Sequence, residues 1–579
     1  MSTQTTALEF RSPVPLPPIP DDLTIPQFML KYQHSLRPSR PHNVPWLIED
    51  RTGKGVFTEE LLTRTHRLAN ALSARWNVGE DDVVCVFSPN HVDYPIVIWA
   101  VHSLGAVVTP ANPSYTIEEL VYQLQISQTR LIFVHSEFVK TARTAAQRAG
   151  IAEDRVVVLP ASGGGKVIGT SIDELISSAQ STAFKEYHLK PGQAKSKLAF
   201  LSFSSGTTGK PKAVKIPHYS VISNVIQMAA HYKVNDACAA KKLFVPGDVS
   251  LGVLPFFHIY GLVVTMHFMF FCGASIVVIP KFSFVEFLKS IARHRITHLF
   301  VVPPQVVLMC KHPAVKDYDL THVRYVMSGA APLSGELVQQ LRKLCPNASI
   351  GQGYGMTETS TSLTMFPPDQ TIGTIGSAGK LIPGVTARVV KADGSLAGEG
   401  EQGELVVTGP SMALGYLNNE AATKETFVDG WVRTGDEVII KNQEVFVVDR
   451  LKEIIKVRGF QVAPAELEGH LLLHPAVADV CVVGIPDDYS GEVPMAFVVI
   501  DTKFKATLGQ GSGEVEKLKK AITEHVSVSK VQYKWLAGGV EFIESIPKNP
   551  SGKILRRVLR DAVKEKMKKG GRPAVQAKL

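Results

Sequence analysis

Between residues 83 and 159 the chain repeats one pattern, an apolar run of four or five residues followed by a segment of helical periodicity. Residues 83–87, 106–109, 131–134 and 155–159 read as strands, and 91–103, 116–125 and 141–149 as the helices between them. Runs this uniformly apolar cannot keep one face in water, so they imply a parallel sheet covered on both sides. Thr116 with Glu119 has the spacing of a capping box, which marks where one of these helices begins. A similar alternation recurs over 274–351, with strands at 298–302 and 324–327 and a second capping-box spacing at Ser283 and Glu286. The fold class is therefore α/β, with a large N-terminal domain of two doubly wound sheets.

Beyond residue 385 the pattern turns to short strands between Gly and Asp turns, at 386–390, 404–407 and 445–448, which reads as a small β-rich subdomain. Asp449-Arg450-Leu451-Lys452-Glu453 then opens a smaller α+β unit. It has a helix near Pro464, strands at 477–483 and 494–500, a helix at 515–525 and a basic helix from Lys553. Residues 507–513 read as a loop. The expected division is 1–451, 452–570 and a tail at 571–579.

With 579 residues, roughly two to four domains fit. The net charge of +9 is concentrated near the C-terminus, where Asp561 and Glu565 interrupt the lysines and arginines. That favours a solvated helix face over nucleic-acid binding. The six cysteines are scattered with no CxxC pair, which predicts a reducing compartment and neither a disulfide framework nor a zinc site. No basic and apolar leader is visible at the N-terminus. The apolar stretch 262–279 is interrupted by His267 and Gly273, and reads as a buried helix followed by a buried strand at 274–279 rather than a transmembrane segment.

The chemistry concentrates in a few loops. Leu201-Ser-Phe-Ser-Ser-Gly-Thr-Thr-Gly-Lys-Pro-Lys212 leaves an apolar run for a loop of hydroxyls, glycines and lysines. Small residues let backbone N–H groups close on a phosphate, the hydroxyls of Ser204, Ser205, Thr207 and Thr208 add donors, and Lys210 and Lys212 add charge. Gly206 and Gly209 are too close together for a Walker A loop, and Pro211 follows Lys210. Pro255-Phe-Phe-His-Ile-Tyr260 sets His258 among aromatics, where a lone histidine is more often a satisfied core residue. Gly351-Gln-Gly-Tyr-Gly-Met-Thr-Glu358 reads as a sharp bend after a strand, leaving Thr357 and Glu358 where open α/β sheets bind ligands. Trp431-Val-Arg-Thr-Gly-Asp436 reads as a tight turn carrying a carboxylate suited to ribose hydroxyls. Pro547-Lys-Asn-Pro-Ser-Gly-Lys553 presents a lysine just before a helix. Each of the last four segments taken alone is read as a structural turn, whereas the 201–212 loop reads as built to hold a polyphosphate.

Together and in this order, these segments resemble the adenylate-forming superfamily of acyl-CoA synthetases, adenylation domains and luciferases, over most of the chain. Phe257-His-Ile-Tyr260, Ser328-Gly-Ala-Ala-Pro-Leu333 and Gly459-Phe-Gln-Val-Ala-Pro-Ala-Glu-Leu-Glu468 look most like 4-coumarate–CoA ligases and their fungal and peroxisomal-type relatives. The resemblance implies a two-step reaction with ATP, Mg²⁺ and coenzyme A. A carboxylate attacks the α-phosphate to give an acyl adenylate and pyrophosphate, and the coenzyme A thiol then displaces AMP.

The resemblance also implies roles. Ser204, Ser205, Gly206, Thr207, Thr208 and Lys212 would line the β- and γ-phosphates. Thr357 would contact the α-phosphate and Glu358 would hold Mg²⁺. Gln352 and Gly353 would border adenine, while Asp436 and Arg450 would meet the ribose. Lys553 would bridge carboxylate and α-phosphate in step one. Lys452 would be the hinge of a mobile C-terminal domain, and Lys456 and Gln461 would contact the adenylate in step two. Arg458, Gly459 and Lys281 would meet coenzyme A, and His258 would gate the acid pocket and contact the adenylate. The acid pocket would comprise Tyr260, Val264, Met327, Ala330, Gly353 and Met365. Arg458 stands where the plant ligases have lysine, Ala213 where glycine is usual, and Thr361 and Ser362 where those enzymes have proline and an apolar residue; the last two bear on the acid.

The expected activity is carboxylate–CoA ligation of an aryl-propenoic or fatty acid. An acid-adenylating enzyme that loads a carrier protein or acts like a luciferase is the alternative, with no carrier domain after Lys553 to support it. A non-catalytic nucleotide- or acyl-binding protein is a further class, and would have no use for Lys553. The terminal Ala577-Lys578-Leu579 is similar to the Ser-Lys-Leu address, which implies a peroxisomal import receptor as partner and a peroxisomal location, with the cytoplasm as alternative.

Overall fold

The computed structural model describes residues 8–161, 169–179, 184–204, 211–239, 241–458, 460–487, 489–507, 512–549 and 552–568. Ser205, Gly206, Thr207, Thr208, Gly459 and the tripeptide Ala577-Lys578-Leu579, together with most of the 507–513 loop, lie outside these residues.

The first alternation forms a six-stranded sheet in the order Val156–Leu159, Thr129–His135, Val83–Phe87, Val107–Ala111, Leu198–Ser204, Lys212–Pro217. All pairings are parallel except that of the last two strands. Every residue of Val83–Phe87 is buried, as its uninterrupted apolar run requires. Thr116 and Glu119 close the anticipated capping box on helix Ile117–Ile126. Helix Tyr94–Ser103 begins three residues later than periodicity suggests, with a proline in its first turn.

The second alternation gives the parallel strands Val249–Gly252, Ser275–Val278, His298–Val301 and Tyr325–Ser328. Ser283 is the N-cap of helix Phe284–Arg293, but its side chain makes no capping bond, so the second expected box is absent. The 262–279 stretch is a buried π-helix over Tyr260–Phe268, a turn at Gly273 and the strand Ser275–Val278. Among the described residues no helix is long and apolar enough to cross a membrane.

The β-rich subdomain is not a separate sheet. Strand Ser349–Met356 pairs in parallel with Tyr325–Ser328 through its first half and antiparallel with Thr361–Met365 through its second. One long strand thus joins the second α/β sheet to the β-rich region in a continuous fifteen-stranded sheet among the described residues. Within the antiparallel half the register shifts between Tyr354 and Gly355. There a Cβ on Gly355 would lie 1.5 Å from the Thr361 carbonyl oxygen, so only glycine fits.

The C-terminal unit shows how period-two patterning places helices. Its centre is the antiparallel pair Val477–Asp487 and Gly491–Ile500. Val480 and Val482 face one side and pack with Leu467, Leu471, Ile522 and Val526 from two helices. Cys481 and Val483 face the other and pack with Leu559 and Val563 of helix Arg556–Lys568. Both faces are covered, so the run Val480–Val483 is apolar throughout. Arg556 ties this unit to its entry segment. It bonds Glu453 at 2.6 Å and Glu468 at 2.6 Å, and all three side chains are nearly buried.

Candidate active site

A cavity of about 690 Å³ lies where the C-terminal ends of strands from both large sheets converge. Ser202, Phe203 and Ser204 reach it from the first sheet. Met327, Gly329, Ala330 and the segment Gly353–Glu358 reach it from the second. The C-terminal unit closes one side with Lys548, Asn549, Lys553 and Leu555. A titratable cluster therefore gathers where the two sheets of the large domain meet the C-terminal unit.

Residues 351–358 are not a bend after a strand. They are mostly the strand Ser349–Met356 itself, and Thr357–Thr359 is a single 3₁₀ turn at its end. That turn points Glu358 inward. Its Oε1 accepts bonds from the Tyr416 hydroxyl (2.8 Å) and the Ser204 hydroxyl (3.2 Å). The Lys212 ammonium lies 4.8 Å from the centre of the Tyr416 ring. Thr361 holds φ at 109°, a costly conformation for a β-branched residue, and its hydroxyl donates to the Ile259 carbonyl at 3.0 Å.

Asp436 does not sit in a tight turn either. It lies within the strand Trp431–Lys441, just after Gly435, whose φ is 70°. Across the ladder its partner is Arg450, so register alone brings the two side chains together. Arg450 Nε is 3.2 Å from Asp436 Oδ1, and the Tyr354 hydroxyl donates to Oδ2 at 2.6 Å. Burial and then the neighbouring Asp436 push the Tyr354 phenol well above its usual range, so it remains a donor. Burial alone would lower the Arg450 pKa, but Asp436 and Tyr354 more than offset it.

Lys553 enters from the other side. Burial and then the charge of Arg450 lower its ammonium to about 8, against the opposing effect of Asp436, Glu453 and Glu358. His258 is lowered to about 4 by burial and then by Lys553, so it is neutral at pH 7. Its Nδ1 accepts from the Tyr260 backbone N–H at 3.3 Å. A shielded ammonium held beside a guanidinium is costly without an anion, and the arrangement favours a ligand that brings negative charge.

Other anticipated residues fall elsewhere. The Gln352 side-chain oxygen accepts the Leu333 backbone N–H at 2.7 Å, so the amide braces the 328–333 loop. Tyr260, Met327, Ala330 and Gly353 line the cavity, and the Tyr260 hydroxyl donates to the Met327 carbonyl at 3.3 Å. Val264 and Met365 are fully buried and lie outside the lining, because one belongs to the π-helix and the other pairs with Gly353 and Lys380 in the sheet. Lys452 is exposed beside Glu425 (3.6 Å). Lys456, Arg458 and Gln461 are exposed and outside the lining; Arg458 lies over the Tyr489 ring at 4.5 Å, and Gln461 lies against Gln402 and Glu437. Lys281 is likewise exposed and outside the lining. Tyr416 and Tyr354 carry no local signal for their roles, since each acts on a carboxylate 58 or 82 residues distant.

Residues 44–417 match the AMP-binding enzyme family, and residues 466–553 match the AMP-binding enzyme C-terminal domain. The chain is 37% identical over 565 residues to 4-coumarate–CoA ligase 2 of Oryza sativa subsp. japonica, covering 95% of this chain and 94% of that one. It is 35% identical over 577 residues to Acyl-CoA ligase AFT1-1 of Alternaria alternata, covering 95% and 97%. Among solved structures, ATP-bound MatB from Rhodopseudomonas palustris superposes with a TM-score of 0.78 at 26% identity, covering 94% of this chain and 99% of that one. The anthranilate CoA ligase AuaEII in complex with anthranoyl-AMP shares the fold, with a TM-score of 0.80 at 22% identity over 95% and 99% of the two chains.

Proposed function

Since the chain belongs to the AMP-binding enzyme family, we propose that the cavity performs the two half-reactions of a carboxylate–CoA ligase. The carboxylate of an aryl-propenoic or fatty acid attacks the α-phosphate of ATP, forming an acyl–phosphate bond and releasing pyrophosphate. The coenzyme A thiol then attacks the acyl carbonyl, forming the thioester and expelling AMP. The reading rests on one observation above all: Lys553, from the C-terminal unit, shares a shielded cavity with Glu358, Arg450 and His258 from the large domain. Step one brings two anions together, and a fixed cation between them lowers that barrier.

In this reading Asp436 accepts the ribose hydroxyls, with Tyr354 and Arg450 holding its carboxylate in place. Asp436→Ala should raise the KM for ATP by about 10–100-fold, the loss expected for a charged hydrogen-bonding group, with a smaller change in kcat. Steady-state kinetics at saturating acid would measure it, and an unchanged KM would remove the assignment. Glu358 is suited to Mg²⁺. It is one carboxylate beside the expected phosphate path, and a hard cation of this kind is commonly held by one or two carboxylates plus substrate phosphates. When bound, the ion would neutralise charge on the phosphates.

The exposed positions of Lys456, Arg458 and Gln461 support a rotation of the C-terminal unit about Lys452 between the steps. That rotation would withdraw Lys553 and bring the step-two residues and coenzyme A to the same carbonyl. For the acid, the tethered Tyr260 ring, with Val264 and Met365 behind the wall, supports a compact aryl-propenoate over a long chain. The test is AMP and pyrophosphate release from magnesium-ATP across cinnamates, benzoates and fatty acids of graded length, followed by thioester detection with coenzyme A. Absence of AMP with every acid would end the proposal.

The tripeptide Ala577-Lys578-Leu579 supports peroxisomal import through a receptor that reads the chain end. Deleting it should move a tagged protein from puncta to the cytosol, and unchanged puncta would refute the address.

A further inference from the structure

Helix Pro303–Lys311 follows strand His298–Val301 in the large domain and touches the C-terminal unit at both ends. At its start, a Cβ on Gly552 would lie 2.9 Å from Val302 Cγ2 and 3.7 Å from Pro304 Cδ. Gly552 immediately precedes Lys553. At its end, the Lys311 ammonium donates to the carbonyl oxygens of Leu472 (3.1 Å) and Val477 (2.9 Å). Leu472 is the C-cap of helix Pro464–Leu471. The last carbonyls of a helix have no partner within it and stand at the negative end of its dipole, so a lysine there is favourable. Here the lysine comes from the other domain.

The anchor connects to the site through a short series of contacts. Val477 opens the strand Val477–Asp487 of the C-terminal unit, and two residues on Asp479 pairs with Lys548 at 2.5 Å. Lys548 also forms a backbone bridge with Ile554, so the two bracket the loop that carries Lys553. The negative charges of Asp479 and Asp501 act on Lys311 as well.

We propose that helix Pro303–Lys311 is the docking rail on which the C-terminal unit seats for acyl-adenylate formation, and that Lys311 is a positioning residue whose ammonium caps the incoming helix. The inference rests on the two-step reading above. Lys311 touches no reacting group. It acts through the turn at 472–477 and the Asp479–Lys548 pair, and its contacts count only while Lys553 is in the cavity.

The test compares Lys311→Met, Lys311→Glu and Lys311→Arg in the full chain. Acid-dependent pyrophosphate release should fall about three- to tenfold in Lys311→Met, the range for a partly exposed charge-assisted bond, with the KM for ATP nearly unchanged. Lys311→Glu places a carboxylate against two carbonyls and two aspartates and should lose more. Lys311→Arg should restore most of the rate. Thioester formation from supplied acyl adenylate and coenzyme A should hold or rise in all three. Hydrogen exchange of residues 303–311 and 464–477 in ligand-free protein gives a readout independent of activity, and should quicken in Lys311→Met and Lys311→Glu. Equal loss of both half-reactions would make Lys311 merely structural, and unchanged exchange with unchanged adenylation would remove the rail; either result overturns the proposal. If the wild type adenylates no acid, the ligase reading fails instead, while exchange still reports on docking.

Discussion

Lys553→Met should lower acid-dependent pyrophosphate release by about 10²–10³-fold, the loss seen when one preorganised donor is removed from a developing charge. The same variant should convert supplied acyl adenylate and coenzyme A to thioester at close to the normal rate, because the proposed rotation withdraws the ammonium from the reacting carbonyl before that step. Equal loss of both half-reactions would contradict the division of labour. The pH dependence follows from the same environment. Burial and Arg450 place the Lys553 pKa near 8 in the free protein, so the ammonium predominates at pH 7 and is lost as pH rises through 8. The kcat/KM for adenylation should therefore decline on the alkaline side with an apparent pKa near 8, and the kcat profile should break at higher pH, since bound phosphates favour the charged form. The sign for stability is opposite to that of a paired lysine. A pKa depressed below its unfolded value makes the buried charge a cost at neutral pH, relieved as pH climbs from 8 towards the unfolded value. Lys553→Met should thus leave the ligand-free protein no less stable at pH 7, which thermal unfolding can check.

A reversible lock across the domain interface is the second large effect. The Cβ position on Gly552 lies 3.3 Å from Val302 Cβ, close to the separation found in disulfides. In a Val302→Cys/Gly552→Cys variant, oxidation would hold Lys553 in the cavity. Adenylation should then persist at the rate of the reduced form, while thioester formation should drop about 10²-fold or more, since a misplacement of even 1 Å has that cost. Reductant should restore it. The φ of +80° at Gly552 strains a cysteine there equally in both redox states, so oxidised against reduced protein is the comparison that matters. Undiminished thioester formation in fully oxidised protein would mean that no domain rotation separates the steps.

The parts of the fold that were legible in the sequence are those set by neighbours along the chain. The strand Val83–Phe87 and its flanking helices follow from runs and periodicity, and the Thr116–Glu119 cap follows from a three-residue spacing. Ser283 and Glu286 have the same spacing and make no box, because a capping bond also needs a geometry at the helix entry that spacing does not specify. Segments 351–358 and 431–436 read as turns from their glycines, yet 351–356 and 431–436 are strand. Gly355 is there because a neighbouring backbone passes too close for a Cβ, and Gly435 because a strand bulges; in local composition both look like turn residues.

The motifs alone determined which polar residues were candidates for one site and in which order along the chain they stand. Sheet register decided that Arg450 holds Asp436, and packing between distant segments decided that Tyr354 also holds it, that Tyr416 holds Glu358, and that Val264 and Met365 stand behind the pocket wall. Domain docking decided that Lys553 lies beside His258 and that Lys311 caps a helix of the other unit. The physical reason is range. Propensity, periodicity and capping act over a few residues, whereas these pairings join atoms tens to hundreds of residues apart, and a one-residue slip of a strand would turn every one of its side chains to the opposite face.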